Sequence, residues 1–279
     1  MDLTDPTGPR GYSLPLSPSG QAAMVSPPPW HFSGDVIMVE YRADPAAVAA
    51  FLPPGVEPAP DPGAAAAIFA HWHWRSESEE EADDPERNQF NEFLILLACT
   101  AEGRPMARCP YAWVDGAIPM ARGWIQGMPK QFGAVHLTHP KAVGRTGPHL
   151  VTGGVFHGIA SQYGARIVKA GVTLGGRAAE PPALHTVPLV HTRHFPAWVP
   201  SDKPMSQLVA SEVVDVEFGE IWEGEASLHF ADDLPGDLAS LAPVQVGGGF
   251  VFSYAETLCH GKALSRVRQS RDRAEVVAS

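Results

Sequence analysis

Lysine is scarce in this chain: Lys130, Lys141, Lys169, Lys203 and Lys262 are the only five among 279 residues. Any search for an amine nucleophile therefore narrows to five positions. Cysteine is scarcer still. Cys99, Cys109 and Cys259 are odd in number and widely scattered, which argues against a disulfide framework and suits a reducing compartment. No run of about 18 apolar residues occurs, so no membrane-spanning helix is expected. The N-terminal MDLTDPTGPR has no basic region followed by an apolar stretch, so a secretory leader is not expected and the cytoplasm is the expected location. Positive charge is also short. Twenty basic residues against 31 acidic ones leave a net charge of −11, which disfavours a nucleic-acid or anionic-membrane partner.

What is abundant is glycine and proline, 27 and 28 residues spread along the chain, which argues against a helical bundle. Residues 1–29 end in Pro27-Pro28-Pro29 and read as an arm or strap ahead of a single domain over 30–279. Short apolar or alternating runs have strand length and turn-like borders: Val36 to Tyr41, Ala65 to Trp74, Phe93 to Cys99, Leu150 to Ile159, Ala165 to Leu174, Val213 to Phe218 and Ala226 to Phe230. Asp44 to Phe51 reads as a short helix with Asp44 as N-cap and Pro45 in the first position. Leu238 to Ala242 reads as a helical turn, and Phe250 to Arg273 has helix-like composition. The acidic stretch Glu77 to Glu86 reads as a solvated loop. Many short strands with a few helices make this an α+β, mostly β, chain.

The segment 117–133, AIPMARGWIQGMPKQFG, carries the chemistry. Arg122, Gln126 and Lys130 are spaced four apart, which puts them roughly on one side of either a helix or a strand. Gly123, Gly127 and Pro129 argue for a turn over a regular helix. The ordinary reading of Lys130 is an exposed surface lysine. The alternative is an amine nucleophile. A free lysine titrates near 10.4, so bringing it to about 7 means destabilising the ammonium by roughly 4–5 kcal/mol, through an apolar pocket or a nearby cation. Trp124, Met128 and Phe132 offer the first, and Arg122 the second.

The motif GMPKQFG resembles the sequence around the Schiff-base lysine of acetoacetate decarboxylase and its relatives. Glu220-Ile221-Trp222-Glu223-Gly224 followed by Leu228-His229-Phe230, and Tyr41-Arg42-Ala43-Asp44, resemble two further segments of that family in the same order, so the resemblance spans roughly residues 30–262. It implies an acetoacetate decarboxylase-like antiparallel β-barrel with a few helices, a homo-oligomer, no cofactor and no metal. Decarboxylases proper carry a second lysine where this chain has Gln131, and charged residues near the places of Gly34 and Ala67. The branch that uses pyruvate and related 2-oxo acids is more similar. There, an arginine and a glutamine at the positions of Arg122 and Gln126 bind the acid, with Trp124 and Met128 as expected neighbours of the substrate.

The implied chemistry is a Schiff-base lyase that condenses a 2-oxo acid with an aldehyde and then loses water. The alternatives are a 3-oxo-acid decarboxylase using the same imine, and a non-catalytic small-molecule binding protein. Imine chemistry needs proton shuttles. Glu92, which opens an apolar strand, and Tyr254 with Glu256 nearby are the candidates; a strand-edge carboxylate and a merely satisfied tyrosine are the plain readings. His71-Trp72-His73 with Glu77 superficially resembles a metal site, but imidazoles two apart also suit one face of a strand, and no metal is expected. His191 and His194 read as structural.

Overall fold

Side-chain alternation sets the architecture. The computed structural model describes residues 8–234 and 236–264, which form thirteen strands and three short helices. The strands are β1 Trp30–Arg42, β2 Val56–Pro58, β3 Ala64–Ser76, β4 Gln89–Ala101, β5 Arg104–Val114, β6 Lys130–Phe132, β7 Ala134–Leu137, β8 Val155–Gln162, β9 Ala165–Arg177, β10 Leu189–Phe195, β11 Met205–Phe218, β12 Trp222–Phe230 and β13 Gln245–Ala263. The helices are α1 Pro45–Ala50, α2 Pro85–Asn88 and α3 Ala117–Gln126. Mostly antiparallel pairing joins all the strands in one sheet, and pairing of β1 with β13 closes β1, β3, β4, β5, β10, β11 and β13 into a ring. The parallel β5–β10 seam is its weakest joint, with two residue pairs. The sheet continues from β13 through β12, β9, β8 and β7.

Because successive strand residues face opposite ways, β1, β3 and β4 each serve two cores. Val36 and Met38, Ala66, Ile68 and Trp72, and Phe90 and Leu94 belong to one core. Their neighbours Ile37, Val39, Ala67, Phe69, Phe93 and Ile95 pack on the other face with Phe156, Val168, Val172 and Trp222 of the sheet extension.

Helix α1 forms as its cap dictates: Asp44 Oδ1 accepts from the amides of Ala46 and Ala47 at 2.7 and 3.2 Å. A 3₁₀ turn covers Gly236–Leu241. Three expectations are corrected, and one unforeseen strand appears. The run from Leu150 becomes strand only at Val155, after a turn at Thr152 and Gly153. The stretch from Phe250 is strand as far as Ala263, because Phe252, Tyr254 and Leu258 alternate onto one face while β1 pairs along its edge; residues 265–273 lie outside the described set. Strand β5 was hidden by its prolines: Pro110 falls where the β4–β5 register shifts, a bulge that needs no amide from it. Within the acidic loop Glu81 is fully buried, accepting from the Ser26 hydroxyl and from the Ser76 amide and hydroxyl. Among the described residues no helix is long and apolar enough to cross a membrane.

Candidate active site

The segment expected to be a turn is a helix, α3, for ten residues. Pro119 sits in its first turn, where a missing amide costs nothing. Gly127 ends it in the left-handed conformation at φ 94°, and the Gly127 and Met128 amides both return to Gly123 O, at 2.9 and 2.8 Å. The chain then reverses into β6, which runs parallel to β5 with Lys130 opposite Ala112. Trp124 Nε1 donates to Lys130 O at 2.8 Å, pinning the strand to the helix. Gly123 is the contact point between them: a Cβ there would lie 2.6 Å from Lys130 Cγ and 3.0 Å from Cε, so only glycine lets the lysine side chain cross the helix.

Lys130 is 5% exposed, and its Nζ lies 2.9 Å from Glu92 Oε1. Trp72 Nε1 donates to the other carboxylate oxygen at 3.0 Å, fixing Glu92. Burial pushes the amine's pKa down, and the nearby Arg122 guanidinium adds to this, while Glu92 pulls the other way. Arg122 is itself fully enclosed. Its Cζ lies 4.3 Å from the Trp74 ring, 4.6 Å from Phe32, 5.2 Å from Phe90 and 5.9 Å from Trp30. Neither terminal nitrogen has a hydrogen-bond partner among the described residues. Aromatic faces solvate a cation without using its N–H donors, so the guanidinium stays charged and free to take a planar anion.

One cavity of about 540 Å³ brings these groups together. Lys130, Glu92, Arg122, Gln126, Met128 and Tyr254 all line it, so six of the seven expected site residues share one space. Trp124 does not: it is 51% exposed and turned to the backbone of Lys130. Phe132 is 61% exposed, so neither of these desolvates the lysine. The apolar surroundings come instead from the ring strands, with the Phe90 ring 5.5 Å from Nζ. On β13, Tyr254 donates to Glu256 Oε2 at 2.8 Å. Burial raises the Glu256 pKa to about 7, against the opposing hydrogen bond from Tyr254.

Of the positions where decarboxylases are expected to carry charge, Gln131 and Ala67 face away from this space. Gly34 lies on the same face of β1 as Phe32, which lines the cavity. Gln131 lies on the opposite side of β6 and accepts from Gln162 Nε2 at 3.0 Å. Ala67 belongs to the other core, and a side chain at Gly34 would meet the Trp72 ring at 2.8 Å. Outside the cavity, His71 Nδ1 lies 2.9 Å from Asn91 Oδ1, and its ring packs edge-on to His73 and His139. No group of three or more histidine, cysteine or carboxylate side chains among the described residues is arranged to hold a metal ion. Sequence reasoning passed over His185 and took His191 as structural; both line the cavity. His191 is buried and His185 half-buried, and nothing in their neighbourhood along the chain marks them as cavity residues.

Comparison with known proteins agrees with this geometry. The acetoacetate decarboxylase (ADC) profile matches residues 13–267. The chain is similar to the structure of the enduracididine biosynthesis enzyme MppR complexed with the condensation product of pyruvate and imidazole 4-carboxaldehyde, at 60% identity and a TM-score of 0.90 over 92% of this chain and 97% of that one. It is equally similar to MppR complexed with pyruvate, at 60% identity and a TM-score of 0.89 over 92% and 98%. An acetoacetate decarboxylase-like enzyme from Sphingomonas wittichii RW1 is 29% identical, with a TM-score of 0.83 over 92% and 99%. No curated protein matches. A profile covering most of the chain, the ring of strands and the buried lysine lead to one conclusion: this chain belongs to the acetoacetate decarboxylase family, near the MppR branch.

Proposed function

We propose that the protein joins a 2-oxo acid, pyruvate or a close relative, to an aldehyde through an iminium and enamine on Lys130, and then removes water. The observation that carries this reading is the enclosed Arg122 guanidinium, both terminal nitrogens without a hydrogen-bond partner among the described residues, sharing a cavity with the Lys130–Glu92 pair. A cation with unused donors is a receptor for a carboxylate that stays on the substrate. The pyruvate and condensation-product complexes of the similar MppR support the same substrate class.

In this mechanism Arg122 and Gln126 hold the carboxylate, and the neutral Lys130 amine adds to the ketone carbon. Glu92, holding the proton that the neutral amine gave up, protonates the ketone oxygen and takes a proton from nitrogen. It passes that proton to the resulting hydroxyl, which leaves as water, giving the iminium and a Glu92 carboxylate. Glu92 then removes a proton from the adjacent carbon, and the C–H electron pair becomes the enamine double bond. Tyr254 is not the base, because burial and the Glu256 carboxylate raise its pKa and its hydroxyl is committed as a donor. The enamine carbon adds to the aldehyde. Glu92 returns its proton to the new alkoxide and then removes a second proton from the same carbon. That C–H pair forms the new double bond as Glu256, holding a proton up to about pH 7, protonates the departing hydroxyl. Hydrolysis of the conjugated iminium frees Lys130 and returns a proton to Glu256. The cavity falls in the range of about 300–1,000 Å³ that accommodates drug-sized ligands, so a second substrate fits beside a three-carbon acid.

Decarboxylation of a 3-oxo acid could use the same iminium, but Arg122 opposes it: a fixed cation holds electrons on the carboxylate that would have to surrender them. The test is incubation with pyruvate and borohydride, read by intact mass and peptide mapping. One substrate mass should be added at Lys130 and none in Lys130→Ala. An adduct equal in both proteins, or absent from both, sinks the reading; so does rapid CO₂ release from acetoacetate without Lys130-dependent deuterium exchange at the pyruvate methyl.

A further inference from the structure

The cavity contains more hydrogen-bonding capacity than the steps above use. Glu92 is engaged by Lys130 and Trp72, and the one proton it holds beside the neutral amine is transferred, not kept as a standing hydrogen bond. Tyr254 donates to Glu256, and Arg122 with Gln126 is assigned to the substrate carboxylate. None of these groups is left to donate a standing hydrogen bond to the ketone oxygen, which becomes an alkoxide when the amine adds. His191 stands on β10, beside the parallel seam with β5, and lines the same cavity at 1% exposed. Its ring makes no hydrogen bond among the described residues, and Nδ1 is sealed from solvent. Buried polar groups without a partner are rare in folded proteins, and a ligand is one thing that completes them.

We propose that His191 is a further catalytic residue, whose imidazole N–H donates to the ketone oxygen of the bound 2-oxo acid and stabilises the alkoxide as Lys130 adds. This rests on the proposed 2-oxo-acid chemistry. Burial, with Arg108 and Lys130 nearby, holds the His191 pKa at about 3, so the ring is neutral at physiological pH. A neutral imidazole is a known way to polarise a carbonyl: it donates without giving its proton away. In the step, the nitrogen lone pair forms the C–N bond and the carbonyl π pair moves to oxygen under the His191 hydrogen bond. Glu92 then gives its proton to that oxygen and takes one from nitrogen. His191 begins and ends the step in the same protonation state. His185, the other unpartnered imidazole, packs edge-on to Tyr254 at 4.4 Å and to Phe252 at 5.1 Å, on the β13 wall.

The experiment is time-resolved borohydride trapping with pyruvate on wild type, His191→Phe and His191→Gln. Losing one preorganised oxyanion donor costs about 10²–10³ in rate, so His191→Phe should slow imine formation on that order. His191→Gln, which keeps an N–H donor, should recover most of the rate. The final stoichiometry at Lys130 and the half-saturating pyruvate concentration should stay within about threefold of wild type, which corresponds to less than one factor of ten in affinity. Wild-type trapping rates in both variants, or equal slowing in both, overturn the proposal. Nitrogen NMR of histidine-labelled wild type with oxamate, which binds as an acid but forms no imine, needs no variant to fold. A hydrogen-bonded His191 N–H signal should appear at saturation, and unchanged ring nitrogens refute the role. If wild-type Lys130 traps no adduct while that signal appears, the 2-oxo-acid imine has failed and the His191 contact has not.

Discussion

Replacing Gly123 with alanine should separate stability from chemistry. A glycine inside a helix costs about 1 kcal/mol relative to alanine, so on propensity alone Gly123→Ala stabilises α3 by about that much. The added methyl, however, would lie 2.6 Å from Lys130 Cγ and 3.0 Å from Cε, where ordinary contacts begin near 3.4 Å. The backbone on both sides is fixed, by the Gly127 and Met128 amides on Gly123 O and by the Trp124 bond to Lys130 O. The lysine side chain must therefore give way by close to an ångström, and overpacking of this kind costs about 1–3 kcal/mol. The two terms offset, leaving a net loss of roughly 0–2 kcal/mol, and the protein should remain folded. Its chemistry should not survive so well. Displacing a reacting atom by about 1 Å can cost on the order of 10²-fold, because the amine no longer meets Glu92 and the substrate carbon together. The assays are thermal unfolding and deuterium exchange at the pyruvate methyl in heavy water. If Gly123→Ala exchanges at the wild-type rate with an unchanged unfolding temperature, the lysine does not depend on the space above that glycine.

Other substitutions test the remaining parts. In Arg122→Met, half-saturating pyruvate should rise by roughly 10- to 150-fold, the equivalent of a lost charge-assisted contact worth about 1.5–3 kcal/mol. The unfolding temperature should hold or increase, since an enclosed cation without a hydrogen-bonding partner is replaced by an apolar chain; a large loss of stability would show that Arg122 is structural. The pH dependence follows from two groups. The Lys130 pKa is lowered, so methyl exchange should reach its plateau as pH rises, well before the ordinary lysine range. Glu256 must hold a proton to expel hydroxide, so aldol dehydration should fall as pH rises through about 7 while exchange continues; parallel profiles would remove Glu256 from that step. Exhaustive chelation should leave both activities unchanged, and a stoichiometric metal required for turnover would bring back the His71 and His73 reading.

Much of the site was legible because its residues are locally unusual. Lys130 is one of five lysines, and Glu92 is a carboxylate opening an apolar strand. Period-two alternation placed most of the ring, and Asp44-Pro45 placed α1. The misreadings share a cause, which is that the deciding contact lies elsewhere in the chain. Gly123 was taken as a helix breaker, although the space it leaves is filled by Lys130 from the next strand. Strand β5 was not foreseen at all, and at Pro110 the bulge against β4 absorbs the missing amide. Glu81 was taken as solvated, although Ser26 and Ser76 reach it from two other segments.

The four-residue spacing of Arg122, Gln126 and Lys130 shows the same limit. The three do line one cavity, but not because one helix or one strand carries them all. Arg122 and Gln126 stand on α3, and Lys130 returns beneath the helix only because Gly127 reverses the chain. The residues that change the chemistry of these groups come from β1, β3 and β4: Phe32, Trp74 and Phe90 around the guanidinium, and Trp72 holding Glu92. A lowered lysine pKa and an unoccupied cation are therefore properties of the closed ring, which the local motif only enters. It follows that a substitution in Trp74 or Phe32, far from Lys130 in sequence, should disturb acid binding more than one in the adjacent, exposed Phe132. Half-saturating pyruvate in Trp74→Leu and Phe132→Leu would compare the two, and a larger effect at Phe132 would return the site to the local segment.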